Sequence, residues 1–259
     1  MRRHRPPAAL AIPAAVAVLF IALPFVALAQ RAPWSSMTDL LGRDVVVDAL
    51  RLSLTTAFAA TALSLVLGVP LAWVLARIDF PGRSIVRALV ALPMVLPPVV
   101  GGVALLFALG RRGLVGQPLN DATGLLLPFS TWGVVVANTF VAMPFLVLTV
   151  EAGLRAVDRR QEEVAETLGA GAWTVFRRVT LPLALPSIVA GAVVCWARAL
   201  GEFGATVTFA GNLQGRTQTV PLAVFLALET DRGAAVALSL VLVAVSLAVL
   251  VALRGRWLT

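Results

Sequence analysis

The chain has 259 residues, of which 59% are hydrophobic and 13% charged, and its mean hydropathy is +0.94. A water-facing domain needs roughly a quarter of its residues charged, so this composition excludes an ordinary soluble fold and makes the bilayer the solvent. The net charge of +8 comes from 21 basic residues, all arginine, against 13 acidic ones. The arginines stand singly or in pairs with no basic stripe along one helix, which argues against nucleic acid as a partner. Cys195 is the only cysteine and His4 the only histidine, so neither a disulfide framework nor a zinc or haem ligand set is expected, and no cofactor.

A helix that crosses the hydrocarbon core needs about 20 apolar residues, because its backbone must be satisfied internally. Six runs meet that length: Ala8–Ala29, Leu52–Ala76, Leu89–Gly110, Thr131–Leu154, Leu183–Ala210 and Gly233–Leu253. Short alternating strands are missing, so the expectation is an all-α polytopic membrane protein of six transmembrane helices. The first run follows Arg2, Arg3 and Arg5 and ends in Ala27-Leu28-Ala29, a small-residue pattern that a cleaved secretory signal also carries. Its apolar length exceeds the roughly 7–15 residues of a signal core, and it is read as a retained membrane anchor.

Counting arginines in the connections orients the chain. With the N-terminus inside, thirteen fall on the cytoplasmic side and seven outside, Arg198 being intramembrane. Both termini are therefore expected in the cytoplasm, with the protein multi-pass in the cytoplasmic (inner) membrane.

In the third run Pro93, Pro97, Pro98, Gly101 and Gly102 interrupt helical hydrogen bonding. They read as a kink, with freed carbonyls lining a cavity as the alternative. After the fourth run comes the longest inner connection. Arg155–Thr167 is helix-permissive with Asp158, Glu162, Glu163 and Glu166 on its polar side, Gly169 and Gly171 punctuate it, and Ala172–Val179 forms a second amphipathic piece with Trp173, Phe176 and Val179 at helical spacing. Such a hairpin can dock into a groove on a soluble partner, or rest among lipid headgroups as an interfacial helix.

In the fifth run Arg198 and Glu202 are four residues apart and share a helical face. Charges at this depth cost about 2.5–3.5 kcal/mol each on insertion scales, so the two are read as an ion pair, either orienting the helix or gating a route. Beyond it Thr206, Thr208, Asn212, Gln214, Thr217 and Thr219 offer hydroxyls and amides, and Arg216 adds a positive charge. They either hydrate an outer loop or line the route of an anion. The chain contains no lysine, so the phosphate-binding pattern G-x-x-x-x-G-K-[ST] is excluded, and energy must come from a partner or an ion gradient.

The spacing of Glu163-Val164-Ala165, Gly169, Val179 and Leu181-Pro182 is similar to the signature E-A-A, three residues, G, nine residues, I-x-L-P of ABC-importer permeases, with Val164 in place of Ala and Val179 in place of Ile. Gly201 to Thr206, Ala210 to Asn212, Gly215, Thr217, Thr219 and Pro221 to Ala223 resemble the molybdate importers of that family, with sulfate permeases close behind. Leu92-Pro93, Leu96 to Pro98, Asn138-Thr139 and Met143-Pro144 extend the likeness. The resemblance implies a permease subunit, not an enzyme, with a cytoplasmic coupling hairpin between helices 4 and 5 that meets a separate ATP-binding subunit. It further implies two copies of that subunit, a second permease copy as a homodimer, and an external oxyanion-binding protein that delivers molybdate or tungstate. On this reading residues 1–51 are an N-terminal helix and outer loop, 52–253 the permease domain and 254–259 a cytoplasmic tail. The rival is a carrier driven by an ion gradient with Arg198 and Glu202 as its coupling site, which leaves the hairpin without a role.

Overall fold

In a computed structural model of the chain, residues 7–257 are described. Arg2, Arg3, His4 and Arg5 lie outside them, as do the last two residues of the expected tail. The elements are α1 (Ala8–Gln30), α2 (Met37–Leu41), α3 (Asp44–Arg77), α4 (Arg83–Val95), α5 (Pro98–Leu109), α6 (Gly116–Thr123), α7 (Thr131–Ala156), α8 (Arg160–Thr167), α9 (Ala172–Val175), α10 (Leu181–Leu200), α11 (Gly204–Phe209), α12 (Val220–Thr230) and α13 (Arg232–Trp257). No strand occurs among the described residues. Five helices are long and apolar enough to cross a membrane, and six if the bent pair α4 and α5 counts as one span.

The third run is not a straight helix. Leu96 precedes two prolines, which push it to the extended backbone it adopts (φ −70°, ψ 141°), and the chain bends by 119° between α4 and α5. The fifth run is also shorter than its hydropathy suggests. α10 stops at Leu200, and α11 begins after the break at Gly201–Phe203. A further apolar helix, α12, lies outside all six runs.

The centre of the fold is the packing of α3, α7 and α10. Ala57, Ala60, Ala72, Leu75, Leu146, Val147, Val150, Ile188, Cys195 and Trp196 form one buried cluster there. Lipid supplies no hydrophobic drive between helices, so close backbone approach has to hold them together. At Gly191 it does: a Cβ would stand 3.1 Å from the Leu146 carbonyl oxygen and 3.3 Å from its Cα. Hydroxyls inside α3 are satisfied along the helix itself, Thr56 donating to the Leu52 carbonyl and Thr61 to that of Ala57, each at 2.7 Å.

Smaller clusters flank this core. α5 and α11 pack on α7 through Leu105, Ala137, Val141, Ala205 and Phe209. α12 and α13 close on α3 through Val46, Ala49, Val220, Ala223 and Leu238. At that end Arg43 bonds Asp231 at 2.7 Å. This hydrogen bond, with the Ala234 N–H, holds the Asp231 carboxyl below the usual carboxylate range. α1 stands apart: its apolar window is 0% buried by the rest of the chain, as befits a helix that is hydrophobic all round and solvated by lipid.

A candidate coupling hairpin and translocation residues

The polar hairpin is built where α7 ends. Val157 takes an extended backbone, α8 restarts at Arg160, and Gly169 reverses the chain at φ +84°, a conformation open to glycine and strained for a β-branched residue. The second helical piece differs from its sequence reading, since it is not a separate short helix. α9 runs through a π turn, Phe176–Thr180, straight into α10, giving a continuous stretch from Ala172 to Leu200. Pro182 would press its ring on the carbonyl of Arg178 in a regular helix, and the wider π turn sits there to relieve it.

The signature residues spread along this element. Glu163 is exposed and Val164 is 57% exposed, while Leu168 and Trp173 beside them reach 83% and 71%. Ala165, Val179 and Leu181 are half-buried, and Pro182 is exposed. A run of apolar side chains is thus held out on a charged hairpin, an arrangement suited to contact with a partner.

Behind it, the hairpin is tied to the bundle by a network that sequence reasoning passed over. Arg77, the last residue of α3, donates to Glu162 at 2.9 Å, and Thr180 donates to the same carboxylate oxygen at 2.8 Å. The Arg77 and Glu162 side chains are 7% and 14% exposed. Trp73 of α3 meets the ring of Phe176 edge-on at 5.8 Å. A cavity of about 330 Å³ lies against these residues and Glu163.

Glu151, inside the fourth run, is a second omission. It is 4% exposed in α7, and its Oε1 accepts from Arg87 of α4 at 2.5 Å and pairs with Arg155 at 2.9 Å. A single carboxylate does not interrupt a 20-residue apolar window, and its α4 partner is 64 residues away in sequence. The only signal available was the rarity of a carboxylate at such a depth.

The other candidates gather at the far end of α10. Arg198 and Glu202 do pair, at 2.6 Å, with side chains 27% and 1% exposed. Glu202 also accepts the Ala205 N–H at 2.8 Å, capping α11 after the break. Thr206 is buried with its hydroxyl 3.4 Å from Asn138 Oδ1 of α7. Thr208 donates to the Gly204 carbonyl at 2.8 Å, so its hydroxyl is engaged within α11. Asn212 is half-buried and its Oδ1 has no partner among the described residues. Arg216 and Gln214 are exposed, and the Arg216 carbonyl accepts from Thr131 at 3.0 Å. Thr217 and Thr219 are buried inside the loop, Thr217 accepting the Leu213 N–H at 2.8 Å. The structure thus joins Arg198 to Glu202 and Thr206 to Asn138, while Arg216 stands off at the surface.

An all-helical bundle of apolar spans, with ion pairs inside it and apolar side chains held out on a charged hairpin, is compatible with a membrane subunit of a transport complex. The chain belongs to the family described as binding-protein-dependent transport system inner membrane component, which matches residues 64–258, and it is an ABC-importer permease subunit. It is 50% identical over 247 residues to the molybdenum transport system permease protein ModB of Mycobacterium tuberculosis, covering 95% of this chain and 92% of that one. It is 36% identical over 236 residues to the sulfate transport system permease protein CysT of Escherichia coli, covering 90% and 85%. Among solved structures, a bacterial ABC transporter involved in the import of the acidic polysaccharide alginate shares the fold, with TM-score 0.74 and 22% identity over 96% of this chain and 93% of that chain.

Proposed function

We propose that this permease carries molybdate, and tungstate as its near-isostere, from an external binding protein into the cell. Two permease copies form the pathway and two ATP-binding subunits drive it. The observation that carries the reading is the 50% identity to a molybdenum permease along nearly the whole of both chains. The hairpin end faces the cytoplasm, in line with the arginine balance, and the hairpin from Glu163 to Pro182 is the contact with the ATP-binding subunit. ATP hydrolysis resides in that subunit. Exposure of Val164, Leu168 and Trp173 supports the contact, since exposed apolar side chains on a charged element gain by burial in a partner.

A dianion needs a route free of uncompensated carboxylates, because a low-dielectric wall magnifies like charge. Glu202 meets that condition through Arg198, and Asn212 and Arg216 offer an amide and a guanidinium at the outer end. Sulfate is the second reading, favoured by the likeness to CysT, and sulfate has the same shape and charge. Uptake into vesicles holding the permease, its ATP-binding subunit and the binding protein decides between them. Molybdate and tungstate are expected to enter in preference to sulfate, and Arg216→Glu is expected to slow uptake about severalfold without preventing assembly. Preference for sulfate reverses the substrate assignment, and indifference to the Arg216 reversal removes that residue from the route.

A further inference from the structure

Beside the hairpin, where α3 and α7 end together, lies an open cavity of about 570 Å³ lined by Arg77, Arg83, Arg155 and Arg159, with Asp158 as its one carboxylate. Four guanidinia around one small concavity demand an account, since like charges this close repel. Part of it is capping. The last carbonyls of a helix are unsatisfied and carry partial negative charge, and here Arg83 donates to the Leu75 carbonyl at 2.9 Å and Arg159 to that of Ala76 at 3.3 Å. Part is pairing with carboxylates outside the lining: Arg77 with Glu162, Arg83 with Asp79, and Arg155 with Glu151.

Capping and pairing leave donors over. Arg155 and Arg159 each engage one nitrogen, Nη2, and Arg77 Nε is buried with no partner among the described residues. A guanidinium fork with open N–H groups matches two oxygens of a tetrahedral oxyanion. Basic pockets between helix ends at a membrane surface are suited to lipid phosphates.

We propose that this cavity is a binding site for one tetrahedral oxyanion of the phosphate class, either a free dianion or the phosphate of an anionic lipid. Arg155 and Arg159 supply the N–H groups left over from their Nη2 contacts, Arg77 deepens the positive field, and Asp158 sets a limit on affinity. The assignment rests on the cavity's donors and does not depend on which anion is transported.

The full chain, purified in a neutral detergent, is tested by equilibrium dialysis against inorganic phosphate. In parallel it is reconstituted in phosphatidylcholine vesicles doped with phosphatidylglycerol, re-extracted, and its retained lipid measured by mass spectrometry. Arg155→Gln and Arg159→Gln are expected to weaken binding about tenfold each, while Asp158→Asn tightens it. The last variant opposes the others in sign, so general loss of folding cannot mimic the pattern. Binding in the first arm alone names the free anion, and in the second alone the lipid phosphate. No binding in either arm, or binding that ignores all three substitutions, overturns the site. So does unaltered anion binding accompanied by loss of the ATP-binding subunit in the arginine variants, which would make the cavity a contact for that protein's carboxylates.

Discussion

Glu202 is 2% exposed, and its two oxygens have different tasks. Oε2 pairs with Arg198 and Oε1 accepts the Ala205 N–H. The first contact is readable from the i, i+4 spacing alone. The second is not, because it requires the helix to stop at Gly201 and restart at Gly204. Arg198→Ala leaves the carboxylate buried without its cation, which costs on the order of 3–5 kcal/mol. Glu202→Gln in the same chain is expected to restore most of the loss, since the amide oxygen still accepts from Ala205 and no charge remains. Exchanging the two residues is expected to fail, because an arginine at this position cannot accept that N–H. Thermal unfolding of the three variants beside the wild type in detergent measures the set. A wild-type midpoint for Arg198→Ala would mean that water reaches Glu202 and the pair has no structural weight.

At the scale of elements, the hairpin depends on one backbone reversal. Gly169 has nothing within 4 Å of where a Cβ would stand, so its requirement for glycine comes from φ +84° and not from crowding. Valine there is a conformational outlier, with a left-handed penalty of about 1–2 kcal/mol. Gly169→Val is expected to leave the protein inserted and to lower transport-coupled ATP hydrolysis about severalfold through misalignment of α8 with α9. Undiminished coupling would remove the docking role. Turn position and apolar runs were legible because glycine spacing and hydropathy are local. What escaped were the features that depend on what a residue meets later in the chain. Leu96 to Pro98 reads as a kink in a span, yet the bend between α4 and α5 reaches 119°. Ala172–Val179 reads as a free amphipathic piece, yet nothing in it stops a helix, and the π turn carries it into α10. Glu151 reads as part of an apolar run until Arg87 is brought to it.

Across the whole molecule, the question is how movement at the hairpin reaches the bundle. One path is covalent, since α9 and α10 are continuous. It moves α10 alone. The other is the Arg77, Glu162 and Thr180 network, which ties α8 to the end of α3 and to the π turn. α3 packs on α7 and α10 along its length, so a hairpin locked to α3 moves the three-helix core as a unit. Glu162→Ala removes both contacts and strands Arg77, whose Nε already lacks a partner. Glu162→Gln keeps the Thr180 bond and loses the ion pair. Neither change touches the exposed face of Val164, Leu168 and Trp173, so the ATP-binding subunit is expected to dock and hydrolyse ATP in both. Molybdate taken up per ATP is expected to fall, about severalfold for Ala and less for Gln, as the hairpin moves without carrying α3; hydrogen bonds to charged groups of this kind contribute about 1.5–3 kcal/mol. Gly169→Val, by contrast, is expected to lower hydrolysis and uptake together. If Glu162→Ala keeps the wild-type ratio of uptake to hydrolysis, the force travels through α10 alone, and the network serves only to shape the hairpin.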